Sequence, residues 1–215
     1  MTFVRLDLAY HGAGFAGWAA QRGERTVQEE LETALGKLLG ERPTLSVAGR
    51  TDAGVHAWAQ VASFEMEGDP PEPLRRALHA LTGRDVTVWG AGPAAEGFDA
   101  RRDARSRTDC YRLLAAPVQN PFERGLSLFW PHRIDPELLE RCAEALLGRH
   151  DFTAFTPTRT RHVHVEREVH RAEWTRAGPF GPGAGGPSGS ILELWIEADA
   201  FLDRKSTRLN SSHRL

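Results

Sequence analysis

A chain of 215 residues is long enough for one large domain or two small ones, with room for a sizeable buried core. Its 40% hydrophobic and 26% charged residues exclude a disordered or fibrous chain, and its apolar runs fall far short of a bilayer span. No signal-peptide pattern opens the chain, and two cysteines, Cys110 and Cys142, argue against a disulfide framework, so the expectation is a cytoplasmic protein with no membrane contact.

The net charge of −2 excludes a surface coated in positive potential, so any nucleic-acid site must be a local patch. The only lysines are Lys37 and Lys205, which makes 25 of the 27 basic residues arginine. A GC-rich genome accounts for that bias, and a planar fork suited to phosphate is the functional alternative.

In chain order, Val4, Leu6, Leu8 and Tyr10 alternate with Phe3, Arg5 and Asp7, which predicts a half-buried strand over 2–10. A glycine-rich turn, Gly12 to Trp18, follows. Thr26-Val27-Gln28-Glu29 has capping-box spacing and starts a helix whose apolar face is Val27, Leu31, Ala34, Leu35 and Leu38, with Gly40 as its stop. Leu45 and Val47 mark a second strand, 58–64 a third, Leu74–Leu81 a short helix and Val86–Trp89 a fourth strand. The second half repeats this order: a strand at 110–115, then a helix opened by Asp135-Pro136. That helix carries Leu138, Leu139, Cys142, Ala145 and Leu146 and is closed by Gly148. Strands over 163–175 and 190–198 flank a Gly/Pro-rich hairpin loop from Gly178 to Ser190. Residues 203–215 lack apolar periodicity and are expected to be a non-native junction or a disordered tail.

The expected architecture is therefore α+β, two ferredoxin-like (RRM-like) units sharing an antiparallel sheet. The N-terminal half, 1–105, carries the Asp52 loop, and 106–202 forms the second half.

The segment Gly49-Arg50-Thr51-Asp52-Ala53-Gly54 places a guanidinium, a hydroxyl and a carboxylate in consecutive positions between two strands. Flanking glycines let the backbone turn sharply and approach a ligand. A carboxylate beside an arginine is favoured in its ionised form, ready to act as nucleophile, general base or metal ligand. A turn in which Asp52 caps backbone donors and pairs with Arg50 fits the same spacing.

Arg50-Thr51-Asp52-Ala53-Gly54-Val55-His56-Ala57 resembles the active-site signature of the tRNA pseudouridine synthase A family. Tyr10, Gly12, Gly17 and Trp18 resemble the turn that follows its first strand, and Thr26-Val27-Gln28 its helix start. Phe98-Asp99-Ala100-Arg101, Asp151-Phe152 to Phe155, and Ala200-Phe201-Leu202 resemble later motifs, so the likeness runs in order from residue 1 to about 202.

The resemblance implies an isomerase that converts uridine to pseudouridine at positions 38–40 of the tRNA anticodon arm. It implies no cofactor and no metal, a homodimer, and Asp52 as catalytic carboxylate with Arg50 and Thr51 beside the substrate. The uracil must leave its stack to reach Asp52, which calls for an aromatic platform and backbone-binding arginines. Arg101, Arg105 and Arg107 are the candidates for phosphate contact, with a solvated turn as the plain alternative.

Two departures stand out. Asp109 occupies the position of the family's base-stacking tyrosine, with Tyr111 two residues on; it has no π-face, and its charge would repel Asp52. Beyond Phe201-Leu202 the family continues with an arginine that pairs with the catalytic aspartate, so the resemblance implies that the C-terminal part of the fold is missing. This predicts poor expression or inactivity, and an alternative function as a catalytically impaired RNA-binding remnant. His162 and His164 share a strand face but have no third metal ligand at a recognisable spacing. His56 is placed to orient the Asp52 loop. Trp18 and Trp58 are assigned to the core, with stacking on bases as the alternative.

Overall fold

Strict alternation over the first nine-residue strand sets one face of the first sheet. In the computed structural model, which describes residues 1–155, 165–179 and 189–201, β1 spans Thr2–Tyr10, and Val4, Leu6, Leu8 and Tyr10 are all buried. The chain divides into two compact units, Met1–Ala104 and Arg105–Leu215.

In the first unit, β1 is followed by helix α1 (Val27–Leu39), β2 (Ser46–Val47), β3 (Ala57–Met66), helix α2 (Leu74–Leu81) and β4 (Val86–Pro93). These strands form a four-stranded antiparallel sheet in the order β2-β3-β1-β4. The Thr26 hydroxyl accepts from the Glu29 amide, and Gly40 ends α1 in the left-handed conformation, both as the sequence predicts. The capping box is not reciprocal, because the Glu29 carboxylate pairs with Arg42 at 2.6 Å instead. Val27, Leu31, Ala34 and Leu35 of α1, with Leu74 and Leu78 of α2, pack on the inward face of the sheet. Together they form a core of eighteen buried apolar residues that also takes in Phe15 and Trp18. Glu32 is buried beneath the chain that leads into β2, where it accepts from Arg42 and from the Leu45 amide.

Two features of this sheet escape an alternation argument. Its register slips at both strands that flank β1: Trp58 and Ala59 on β3 stand opposite Ala9, and Trp89 on β4 is inserted between the partners of Asp7 and Leu8. At such bulges the side-chain period of two breaks. Trp58 is consequently 80% exposed rather than part of the core, whereas Trp18 is 1% exposed and does belong to it.

In the second unit, β5 (Arg107–Ala115), β6 (Leu128–Trp130), helix α3 (Pro136–Glu144), β7 (Gly148–Asp151), β8 (Glu166–Pro179) and β9 (Ser190–Ala198) build a five-stranded sheet ordered β6-β5-β9-β8-β7. All its pairings are antiparallel except β5 with β6. The strands hydrogen-bond as two sheets, one in each unit, where the sequence reading placed them in a single shared sheet. The Asp135 carboxylate caps α3 as expected, but the helix ends at Glu144, and Gly148, with φ +92°, opens β7 instead of closing the helix. Of the apolar face expected on this helix, Leu138, Cys142 and Ala145 are exposed, Leu139 and Leu146 are half-buried with Leu146 packed on the core, and Ala143, not expected, is buried. His162, His164, most of the expected hairpin loop and the tail 203–215 lie outside the described residues.

Candidate active site around Asp52

Asp52 lies in the connection between β2 and β3, and the sequence around it explains why that connection holds one shape. Three chain segments meet there: the end of β1, the glycine-rich turn behind it and the loop itself. The Trp18 amide donates to the Thr51 carbonyl at 3.0 Å, and the Gly54 amide donates to the Phe15 carbonyl at 3.1 Å, so the turn and the loop are laced together backbone to backbone. A tight turn at the top of the loop is closed by the Val55 amide donating to the Asp52 carbonyl at 3.2 Å, with Gly54 at φ +79°.

The approach is too close for side chains. A Cβ at Gly12 would sit 1.9 Å from the Val55 carbonyl oxygen, and one at Gly17 would meet the Thr51 carbonyl oxygen at 2.8 Å with φ at +103°. Both positions therefore require glycine, for space at the first and for space and backbone conformation at the second. The Gly12 amide also donates to His56 Nδ1 at 3.1 Å, and the His11 and His56 rings meet edge to face at 4.3 Å. An accepting Nδ1 places the ring proton of neutral His56 on Nε2. His56 thus holds the turn to the loop.

A second anchor comes from inside the sheet. Tyr10, at the end of β1, is buried, and its hydroxyl lies 2.8 Å from Thr51 Oγ1. Gln60 Nε2 donates both to Tyr10 Oη, at 3.2 Å, and to the Gly49 carbonyl, at 2.8 Å. Because Gln60 donates to the phenol, the phenolic hydrogen is left for Thr51. Burial pushes the Tyr10 phenol above its ordinary range, outweighing its hydrogen bonds with Thr51 and Gln60, and so keeps that hydrogen in place. The loop is gripped from within at Gly49 and Thr51, while Arg50 and Asp52 point to an exposed surface. A fixed backbone carrying an exposed carboxylate is the arrangement a nucleophile or base requires.

Sequence reasoning found Asp52, Arg50 and Thr51 but missed Gln60. Gln60 stands out only once strand pairing places it opposite Leu8, on the face that is otherwise core.

Within the same unit, the turn over Phe98–Asp103 lies against the outer face of the sheet. The Ala100 amide donates to Ser63 Oγ at 2.9 Å, and the Asp99 carboxylate accepts from the Arg101 and Arg102 amides. Burial works against the charge on Asp99, but these amides and the Ser46 hydroxyl hold its carboxyl below the usual carboxylate range. Arg101 is exposed on this turn.

The remaining candidates belong to the second unit. Arg105 is exposed, while Arg107 opens β5 and donates to the Asp199 carbonyl at 2.9 Å. Asp109 and Tyr111 share one face of β5, opposite Ile196 and Leu194, and Tyr111 packs against the core of that unit. Among the described residues no group of three or more His, Cys, Asp or Glu side chains is placed to hold a metal ion, and no helix is long and apolar enough to cross a membrane.

No family model matches the chain. Among curated proteins, it is 45% identical over 202 residues to a protein of Frankia casuarinae, covering 92% of this chain and 69% of that relative. It is 42% identical over 184 residues to one of Corynebacterium glutamicum, covering 80% of this chain and 63% of the relative. With a third, from Mesorhizobium japonicum, identity is 39% over 206 residues, covering 94% and 79%. The chain thus spans between 63% and 79% of the length of these three relatives. All three carry the name of one kind of pseudouridine synthase, tRNA pseudouridine synthase A. The chain belongs to that family.

Proposed function

We propose that this chain isomerises uridine to pseudouridine in tRNA, with Asp52 as the catalytic carboxylate. The observation that carries the reading is the immobilised loop: an exposed Asp52 on a backbone held by Trp18, Phe15, Gln60 and Tyr10, in a chain 45% identical to a tRNA pseudouridine synthase A.

The reaction breaks the N1–C1′ glycosidic bond, turns the detached uracil and joins its C5 to C1′. One carboxylate promotes the first step either by attacking C1′, forming an ester that the uracil later displaces, or by taking the C2′ proton to leave a glycal. In both routes C5 gives up a proton and the freed N1 takes one, and in the glycal route the proton taken from C2′ is returned as C5 joins C1′, so the product is an isomer with no net oxidation or reduction. Asp52 has the exposure either route needs. Arg50 and Thr51 flank it, Thr51 as the residue that fixes the backbone and Arg50 as a donor to the substrate. Arg101, Arg105 and Arg107 are assigned to tRNA phosphates, Arg107 with part of its donor capacity used by Asp199. Tyr111 and Asp109 are assigned to the base-binding region.

The finer features rest on the family resemblance: action at positions 38–40 of the anticodon arm, a homodimer and a cytoplasmic location. The ferredoxin-like description of the N-terminal half is supported by its strand–helix–strand–strand–helix–strand order and by the sheet order β2-β3-β1-β4. Boundaries at 105 and 202, with a separate tail, complete the proposed domain plan.

Release of tritium from 5-labelled uridine in tRNA tests the reading. Release by the unaltered chain that Asp52→Asn reduces to background, with tRNA binding kept, supports it, and overturns the expectation of inactivity drawn from the two departures. A second reading is favoured by one observation, the carboxylate at position 109 where the family stacks a tyrosine: a remnant that binds tRNA without turnover. Retained tRNA binding with no tritium release from the unaltered chain would select it.

A further inference from the structure

The outer face of the first sheet carries two large apolar side chains that the chemistry above does not use. Phe3, Arg5, Asp7 and Ala9 of β1 point to this face, since Val4, Leu6, Leu8 and Tyr10 fill the core. The Phe98–Asp103 turn, where Arg101 and Arg102 are exposed, contacts this face at Ser63 on β3, the partner of Arg5. Towards the Ala9 end stand Trp58, 80% exposed, and Trp89, 62% exposed.

Indoles are highly buried on average, so two exposed ones on a single sheet face need a reason. Each sits at a register slip, Trp58 on β3 and Trp89 on β4, the two strands that flank β1. Bulges re-aim side chains and concentrate beside active sites. Their neighbours on this face are Ala9, Ala59, Thr87 and Gly90, with Asp7 of β1 held in an ion pair by Arg5, and the indoles themselves stay exposed. With β1 between them, the two indoles stand two strand spacings apart, roughly 10 Å. Trp58 also lies six residues beyond Asp52, in the strand the catalytic loop enters.

A uridine drawn out of its stack to reach Asp52 leaves neighbouring nucleotides without a stacking partner. Aromatic side chains on an open sheet face restore that contact in single-stranded RNA recognition, with arginines tracking the backbone. We infer that the outer face between Trp58 and Trp89 is a stacking platform for the unpaired RNA nucleotides next to the uridine presented to Asp52. This rests on the RNA-modifying reading given above, and it adds a binding surface beyond the loop.

The test is equilibrium binding of an unmodified tRNA transcript to the full chain at fixed ionic strength, by filter retention. Trp58→Ala and Trp89→Ala are each expected to raise Kd by roughly 5- to 150-fold, the range set by one lost base–indole stack. Trp58→Phe and Trp89→Phe should recover most of that loss, and the dependence of Kd on salt should be unchanged because no phosphate contact is removed. Both positions are exposed, so far-ultraviolet circular dichroism and melting are expected to match the unaltered chain. A double alanine variant that binds within twofold of the unaltered chain overturns the platform. So does a double variant that changes oligomeric state by light scattering with Kd unmoved, which would make the face a contact between copies of this chain. Because binding does not require turnover, a chain that binds through the indoles yet releases no tritium sinks the isomerase reading and leaves the platform standing. A chain that binds no tRNA removes the platform.

Discussion

The two units bury their apolar residues very differently. The first closes eighteen buried side chains between one sheet and two helices, with Leu6, Leu8, Leu31, Leu35 and Leu78 fully shielded. Among the described residues the second gathers five into its core cluster, with Leu114 and Ile191 buried apart from it, and α3 contributes one of the five, Ala143. All four residues of β7 are exposed. Local opening requires most free energy where many apolar contacts must be broken, so the core around β1 and α1 in the first unit is expected to be held firmly. That is the unit that carries Asp52, and a held carboxylate needs a scaffold that does not breathe.

Breaking the core of the first unit should give the largest effect on stability. Leu31→Ala removes a fully buried side chain and is expected to cost about 2–5 kcal/mol, read as a lower urea midpoint for that unit. In the same experiment, native-state hydrogen exchange should protect β1 and β3 amides far more than those of β7.

Next comes the packing of the glycine-rich turn on the loop. Gly12→Ala forces a methyl against the Val55 carbonyl, and the backbone must shift by more than an ångström to relieve it. A cost of about 1–3 kcal/mol is expected, with loss of turnover, while the fold persists by circular dichroism.

A smaller and sharper probe is Tyr10→Phe, which removes the hydroxyl shared by Thr51 and Gln60 and leaves the ring in the core. The expected loss is about 0.5–1.5 kcal/mol of stability by denaturant titration. If the grip on Thr51 matters to the chemistry, turnover should fall while tRNA affinity holds. Equal turnover in the variant would show that the backbone bonds from Trp18 and Gln60 hold the loop unaided.

Leu138→Ala closes the series. This residue is 49% exposed on α3, and its truncation should change stability by no more than about 0.5 kcal/mol. A loss of several kcal/mol would mean that α3 buries a face in solution beyond Ala143, and the contrast between the units would shrink.

Much of the first unit is legible in the chain alone. A clean period of two over Thr2–Tyr10, a period near 3.6 after Thr26 and a glycine past Leu39 specify β1 and α1 through local physics, and both occur where expected. Leu74–Leu81 and Ser190–Ala198 match for the same reason. Asp52 was legible as a carboxylate between glycines, and its family as an ordered set of motifs.

Tertiary structure decided the rest. Leu138, Leu139, Cys142, Ala145 and Leu146 read as one apolar stripe, yet a stripe is buried only where something packs on it, and the side that packs inward runs through Ala143 and Leu146 while Leu138, Cys142 and Ala145 stay exposed. Trp58 reads as core by residue type, but a register slip against β1 breaks the alternation and turns it outward. Gln60 is an ordinary polar residue until strand pairing brings it opposite Leu8, beneath Gly49 and Tyr10. A sequence determines periodicity, caps and turns because those depend on neighbours a few residues apart. Which faces are covered, and which side chains reach the Asp52 loop, as Gln60 does from 11 residues away and Tyr10 from 41, depends on strand register, and register is set only when the whole sheet assembles.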